Sequence, residues 1–161
     1  MSRFHVGVAA LVAAVAGSAN AAIVVYNFSM DGAQEVPPVA TPGFGSATVT
    51  LNTDTGQVSL TGTYNDLIGT VTAAHIHGLA APGSNAGVIL ALTHTGGTSG
   101  TLTGAGVFSA ANIQGMLDGL TYVNVHTTFK AGGEIRGQVV PAPASIGLLG
   151  LAGLVAGRRR R

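Results

Sequence analysis

His75 and His77 stand two residues apart, and His94 and His126 follow them along the chain. On a β-strand, side chains two apart share a face, so His75 and His77 point the same way, as do Asn124 and His126. If the last hairpin closes through a three-residue loop, Thr128 lies opposite Glu134 and His126 opposite Arg136. His126 and Glu134 are then diagonal neighbours on one face, within reach of each other. Three or four imidazoles converging with a carboxylate suit zinc or copper, with His94, at the end of a third strand, as the fourth ligand. The plainer reading is structural. A strand histidine more often packs with its ring nitrogens satisfied by backbone or by Glu134, and Glu134 with Arg136 would only neutralise a sheet end.

Little other chemistry is available. The chain has no cysteine, which excludes disulfides and zinc sites built on thiolate. It has no Gly-x-Ser-x-Gly elbow and no Gly-Lys-Ser/Thr phosphate loop. The balance leans away from an enzyme. Between Ile23 and Val140, Lys130 and Arg136 face Asp31, Glu35, Asp54, Asp66, Asp118 and Glu134. An acidic middle excludes nucleic acid as an expected partner.

Strands must position these residues. Ala47, Val49 and Leu51 alternate with Ser46, Thr48 and Thr50, and Val58 and Leu60 with Ser59 and Thr61. Val88, Leu90 and Leu92 share a face, and the stretches 122–129 and 134–139 alternate again. Asp54-Thr55-Gly56 and Lys130-Ala131-Gly132-Gly133 read as hairpin turns, and Gly96-Gly97 as a further turn. Strands at this spacing predict an antiparallel sandwich or barrel. Ser109 is placed to cap one short helix, with Ile113, Met116, Leu117 and Leu120 on one side. Gly32, Gln34, Glu35, Pro37 and Pro38 read as a fixed loop, or as control of a sheet edge. The segment 80–87 reads as a plain surface loop or as a lip over the histidine face, and loop base rates favour the first.

Both ends read as addresses. Arg3 and His5, the apolar run Val6 to Ala16 and then Ala19-Asn20-Ala21 have the order of a secretory signal, so residues 1–21 are expected to be removed. At the other end, Pro141 and Pro143 precede an apolar stretch from Ser145 to Gly157 and the run Arg158-Arg159-Arg160-Arg161. That stretch is shorter than the roughly 20 residues of a usual spanning helix, and the arginines would hold its end on the cytoplasmic side. A plain tail anchor in the inner membrane is the other reading.

The tail, residues 141–161, resembles the PEP-CTERM sorting signal of Gram-negative bacteria, with Ala142 standing where that family usually carries glutamate. The resemblance implies a cell-envelope or extracellular destination, signal peptidase and an exosortase-type enzyme as partners, and transient association with the inner membrane. Four segments of residues 22–140 are specific together: Gly32-Ala33-Gln34-Glu35-Val36-Pro37-Pro38, Thr72-Ala73-Ala74-His75-Ile76-His77-Gly78, Tyr122-Val123-Asn124-Val125-His126-Thr127 and Gly133-Glu134-Ile135-Arg136-Gly137-Gln138. They resemble the CHRD domain, found in chordin and in exported microbial proteins. The resemblance implies an antiparallel immunoglobulin-like β-sandwich with one short helix, flanked by the signal peptide and a C-terminal hydrophobic helix. It brings no agreed biochemical activity. The His-x-His strand also resembles, loosely, that of copper-zinc superoxide dismutase. The cysteine pair and the His- and Asp-rich zinc loop are missing here, and no activity is carried over. The expectation is an exported, non-enzymatic binding or structural module. The alternative is a zinc- or copper-binding protein or metalloenzyme built on the histidines.

Overall fold

The computed structural model describes residues 22–140. The expected signal peptide and sorting tail, with its hydrophobic helix, lie outside the described residues. Among those described, no helix is long and apolar enough to cross a membrane.

Strands β1 (Ile23–Asp31), β2 (Phe44–Asn52) and β3 (Gln57–Asn65) form a meander, followed by β4 (Val71–Gly78), β5 (Val88–His94) and β6 (Gly100–Val107). A helix, α1 (Ala110–Leu117), leads to β7 (Thr121–Thr127) and β8 (Ile135–Val139). The turns sit where their residues demand. Asn52 Oδ1 accepts from the amides of Asp54 and Thr55, and Gly56 closes the β2–β3 turn at a φ of 73°. Ser109 caps α1, its hydroxyl accepting from Asn112 N at 3.3 Å.

The strands do not form an immunoglobulin-like sandwich. They run in the order β1-β2-β3-β6-β5-β4-β7-β8 around a closed barrel, with every neighbouring pair antiparallel. Closure rests on β8, which pairs with β7 along its length and meets β1 at Asp31 and Arg136. Periodicity cannot foresee this, because alternation looks the same in two facing sheets and in one sheet curled on itself. Closure removes the exposed edges that a sandwich must protect. It also needs close backbone approach. A Cβ on Gly137 would stand 2.5 Å from Ser29 O and 2.7 Å from Met30 Cγ, so the seam admits only glycine there.

The interior is a packed apolar core rather than a channel, as eight strands require. Tyr26, Val49, Leu51, Ile76, Leu102, Val123, Val125, Ile135 and Val139 point inward. Strand parity then sends His75 and His77 of β4, Tyr122, Asn124 and His126 of β7, and Arg136 and Gln138 of β8 to the outer surface. The register brings them together, with His77 opposite Tyr122, His75 opposite Asn124, and Asn124 opposite Arg136. The last hairpin is therefore longer than a three-residue loop. Arg136 pairs with Asn124 and not with His126, because Lys130 O accepts from both Thr127 N and Gly133 N and so extends the turn.

Gly137→Ala is expected to destabilise the domain by about 1–3 kcal/mol through overpacking at the seam. The measurement is the denaturant midpoint at unchanged m-value. A midpoint equal to the wild type's would mean that β1 and β8 do not close the barrel.

Candidate metal centre

On the outer face, β4 contributes His75 and His77 and β7 contributes His126. One ring nitrogen from each lies within 4.8 Å of the others. The ring centroids are 5.0 Å apart for His75 and His126, 5.5 Å for His75 and His77, and 5.7 Å for His77 and His126.

Two of the rings are held by backbone carbonyls. His77 Nδ1 lies 3.0 Å from Ala86 O, and His126 Nδ1 lies 2.9 Å from Ala131 O. A carbonyl oxygen only accepts, so in each neutral ring Nδ1 carries the hydrogen and Nε2 keeps a bare lone pair. Both Nε2 atoms are buried and have no hydrogen-bond partner, and neither does His75 Nδ1. A buried polar atom without a partner costs about 1–3 kcal/mol. A backbone carbonyl on one ring nitrogen and a free lone pair on the other is the arrangement that orients metal-ligating histidines.

The electrostatics favour the neutral form of His75 and His77. Burial pushes the His75 pKa down, helped by His126 and His77. Burial lowers that of His77 as well, with His126 and the Arg136 charge acting in the same direction, against the Ala86 carbonyl that raises it. Neutral imidazole is the form that binds a cation.

The outer face owes its burial to two loops. Tyr122, Asn124 and Arg136 point away from the core, yet they are only 2%, 3% and 1% exposed. The segment 80–87 lies over them as a lip, against the favoured expectation of a plain loop. Arg136 donates to Ser84 O (2.9 Å) and Asn85 Oδ1 (3.2 Å) in the lip and to Gln138 Oε1 (2.9 Å). Its guanidinium lies 3.6 Å from the Tyr122 ring centroid, while His77 stacks on the same ring at 5.0 Å and 8°. Ala86 N donates to Tyr122 Oη at 3.0 Å, and that hydroxyl is 3.3 Å from Ala86 O, the acceptor of His77. Gln138 Nε2 donates to Ala80 O and Gly119 O. On the other side, the proline loop after β1 brings Gln34, whose Oε1 accepts from Gln138 N, and Glu35, whose Oε2 accepts from Asn124 Nδ2 at 3.4 Å. Pro37 and Pro38 line cavities beside Glu35.

Two expected ligands stand elsewhere. His94 ends β5 opposite Leu102 and is not part of the cluster. Glu134 is wholly buried, and its carboxylate is already saturated. It accepts from Thr41 Oγ1 (2.6 Å), Ile68 N (2.6 Å), Gly69 N (3.1 Å) and Thr127 Oγ1 (2.7 Å). Burial alone would raise its pKa, but these four bonds outweigh it and hold the carboxyl below its ordinary value. Glu134 therefore ties the β3–β4 connection and Thr41 to the end of β7, and has no lone pair left for an ion. Sequence reading passed over Tyr122, although parity alone puts it beside Asn124 and His126. The Ala86 and Ala131 carbonyls left no trace in residue type.

Arg136→Met is expected to release the lip. Amide hydrogens at 84–87 should exchange faster while the β2–β3 hairpin keeps its protection. Equal protection of 84–87 in both proteins would show that the guanidinium does not hold it.

A family model, the CHRD domain, matches residues 26–139. No curated protein and no solved structure matches the chain. The match runs from Tyr26, within β1, to the end of β8 and takes in all three clustered histidines, and the chain belongs to the CHRD domain family.

Proposed function

We propose that this chain is an exported CHRD module that binds one copper or zinc ion on the outer face of its barrel, through His75, His77 and His126. The observation that carries the reading is the set of three buried ring nitrogens without partners, two of them aimed by backbone carbonyls on the opposite ring nitrogen. Imidazole nitrogen suits both metals, and neither thiolate nor carboxylate joins the group among the described residues. An ion bound by three protein ligands keeps a position open for water or a small ligand, a feature of reactive rather than purely structural zinc sites. That open position favours, as a second reading, a centre that handles a small substrate. Export is supported by the N-terminal Arg3, apolar run and Ala19-Asn20-Ala21, and by the Pro141, Pro143 and arginine-rich tail that an exosortase-type enzyme would process. The partner at the cell surface would then meet the module outside the inner membrane.

Purified protein exposed to zinc or copper and then desalted should retain about one ion per chain by mass spectrometry. His75→Ala/His77→Ala should lose it, and at a hundredfold excess of metal over Kd the wild type should gain about 2.7 kcal/mol of stability. The lowered His75 and His77 pKa values set the pH dependence. Their contribution is present above the ordinary histidine value and is lost as pH falls through the lowered ones, so metal should leave in that acidic range. Wild type that refuses both metals, with the double variant merely less stable, would make the histidines structural. Separately, the secreted chain should begin at Ala22 by N-terminal sequencing. A cytoplasmic chain still carrying Met1 would overturn export.

A further inference from the structure

Glu35 is the buried acid that the histidine cluster does not use. It is 5% exposed, and it belongs to the proline loop, not to the barrel wall. Its Oε2 accepts from Asn124 Nδ2, while its Oε1 is buried without a partner. Asn124 Oδ1 is in the same position. The amide cannot simply be turned round, because Asn124 Nδ2 also donates to Gly132 O at 3.3 Å, and a carbonyl can only accept. A Cβ on Gly133 would collide with both the Asn124 amide and the Glu35 carboxylate, so the two groups border one small space that the glycine leaves free. Two bare acceptors bordering one space are costly, and a proton on Glu35 turns one of them into a donor.

We propose that Glu35 carries a proton that bridges its Oε1 to Asn124 Oδ1, and that this acid–amide pair is a proton-operated latch fastening the proline loop to the barrel. The paired groups then exchange two hydrogen bonds, Asn124 Nδ2 to Glu35 Oε2 and Glu35 Oε1 to Asn124 Oδ1. The charged groups around Glu35 agree with this. Burial pushes its pKa up to about 7, against Arg136 of β8, the Asn124 amide and the Val36 backbone, which all act to lower it. Lys130, on the β7–β8 hairpin, lines with Glu35 a cavity of about 290 Å³. From the lip, neutral Asn85 lines that cavity too and donates its Nδ2 to Val36 O at 2.9 Å. His75 borders Asn124 across β4 and β7. The Asn85 bond couples the latch to the lip, whose Ala86 carbonyl orients His77. Loss of the proton therefore loosens both loops. The consequence for metal affinity rests on the metal reading above, whereas the latch itself does not.

The test uses metal-free, chelator-treated protein, so its failure leaves metal binding untouched. Carbon NMR of the Glu35 carboxyl should show a titration midpoint near 7, and hydrogen exchange at Glu35, Val36 and Val39 and at 84–87 should quicken through the same pH range. The raised pKa places the latch's stabilisation fully below about 4.5 and removes it as pH rises to about 7. Glu35→Gln, which keeps both hydrogen bonds without a titrating proton, should protect the loops at every pH. Glu35→Met, which strands the Asn124 amide, should leave them unprotected throughout. A midpoint at the ordinary carboxylate value, or loop exchange that ignores the titration, would overturn the proposal.

Discussion

A guanidinium taken out of water must be hydrogen-bonded and offset in charge, or it costs several kcal/mol. Arg136 is only 1% exposed although it points away from the core, and the outer side of this barrel is organised by that demand. Its hydrogens go to the lip and to Gln138, its charged face rests on the Tyr122 ring, and its field acts to lower the Glu35 pKa against the burial that raises it. Each of those partners lies in a different stretch of chain. Folding them over β4, β7 and β8 creates a second, polar interior outside the apolar one. The histidines sit within it, half-buried or buried, and their rings take their orientation from the same loops.

The two buried carboxylates illustrate how environment divides one chemistry into two roles. Glu134 receives four hydrogen bonds, two from backbone amides and two from threonine hydroxyls, and stays ionised as a structural tie. Glu35 receives a single long one from a side chain, leaves an oxygen bare, and holds its proton towards neutrality. Donor count decides between them, since both are almost fully removed from water. The acid that sequence spacing offered as a ligand is therefore the one with no capacity left. The acid placed in a loop is the one with chemistry to spare.

What could be read in advance was local. Alternation along β4 and β7 assigned His75, His77, Asn124 and His126 to common faces, and a strand's period of two leaves no other choice. Asp54-Thr55-Gly56 and Ser109 announced a turn and a helix start because their side chains and backbone freedom act within four residues. The four CHRD-like segments were legible as well, and the family match spans them. The β7–β8 register was not, because the Lys130 carbonyl, and not the count of glycines, sets the length of that hairpin.

The sequence by itself thus determined the strands, the inward and outward parity along each, and the residue types able to hold a metal. Tertiary structure alone decided that the sheet closes as a barrel, that His94 stays apart, that Glu134 spends its lone pairs on β3–β4 backbone, and that a lip covers the histidines. The physical reason is range. Parity and capping are settled by neighbours a few bonds away, whereas closure and the satisfaction of buried polar groups depend on segments up to about a hundred residues apart, such as Gln34 and Gln138. Which of those segments meet is a property of the packed chain, not of any stretch within it.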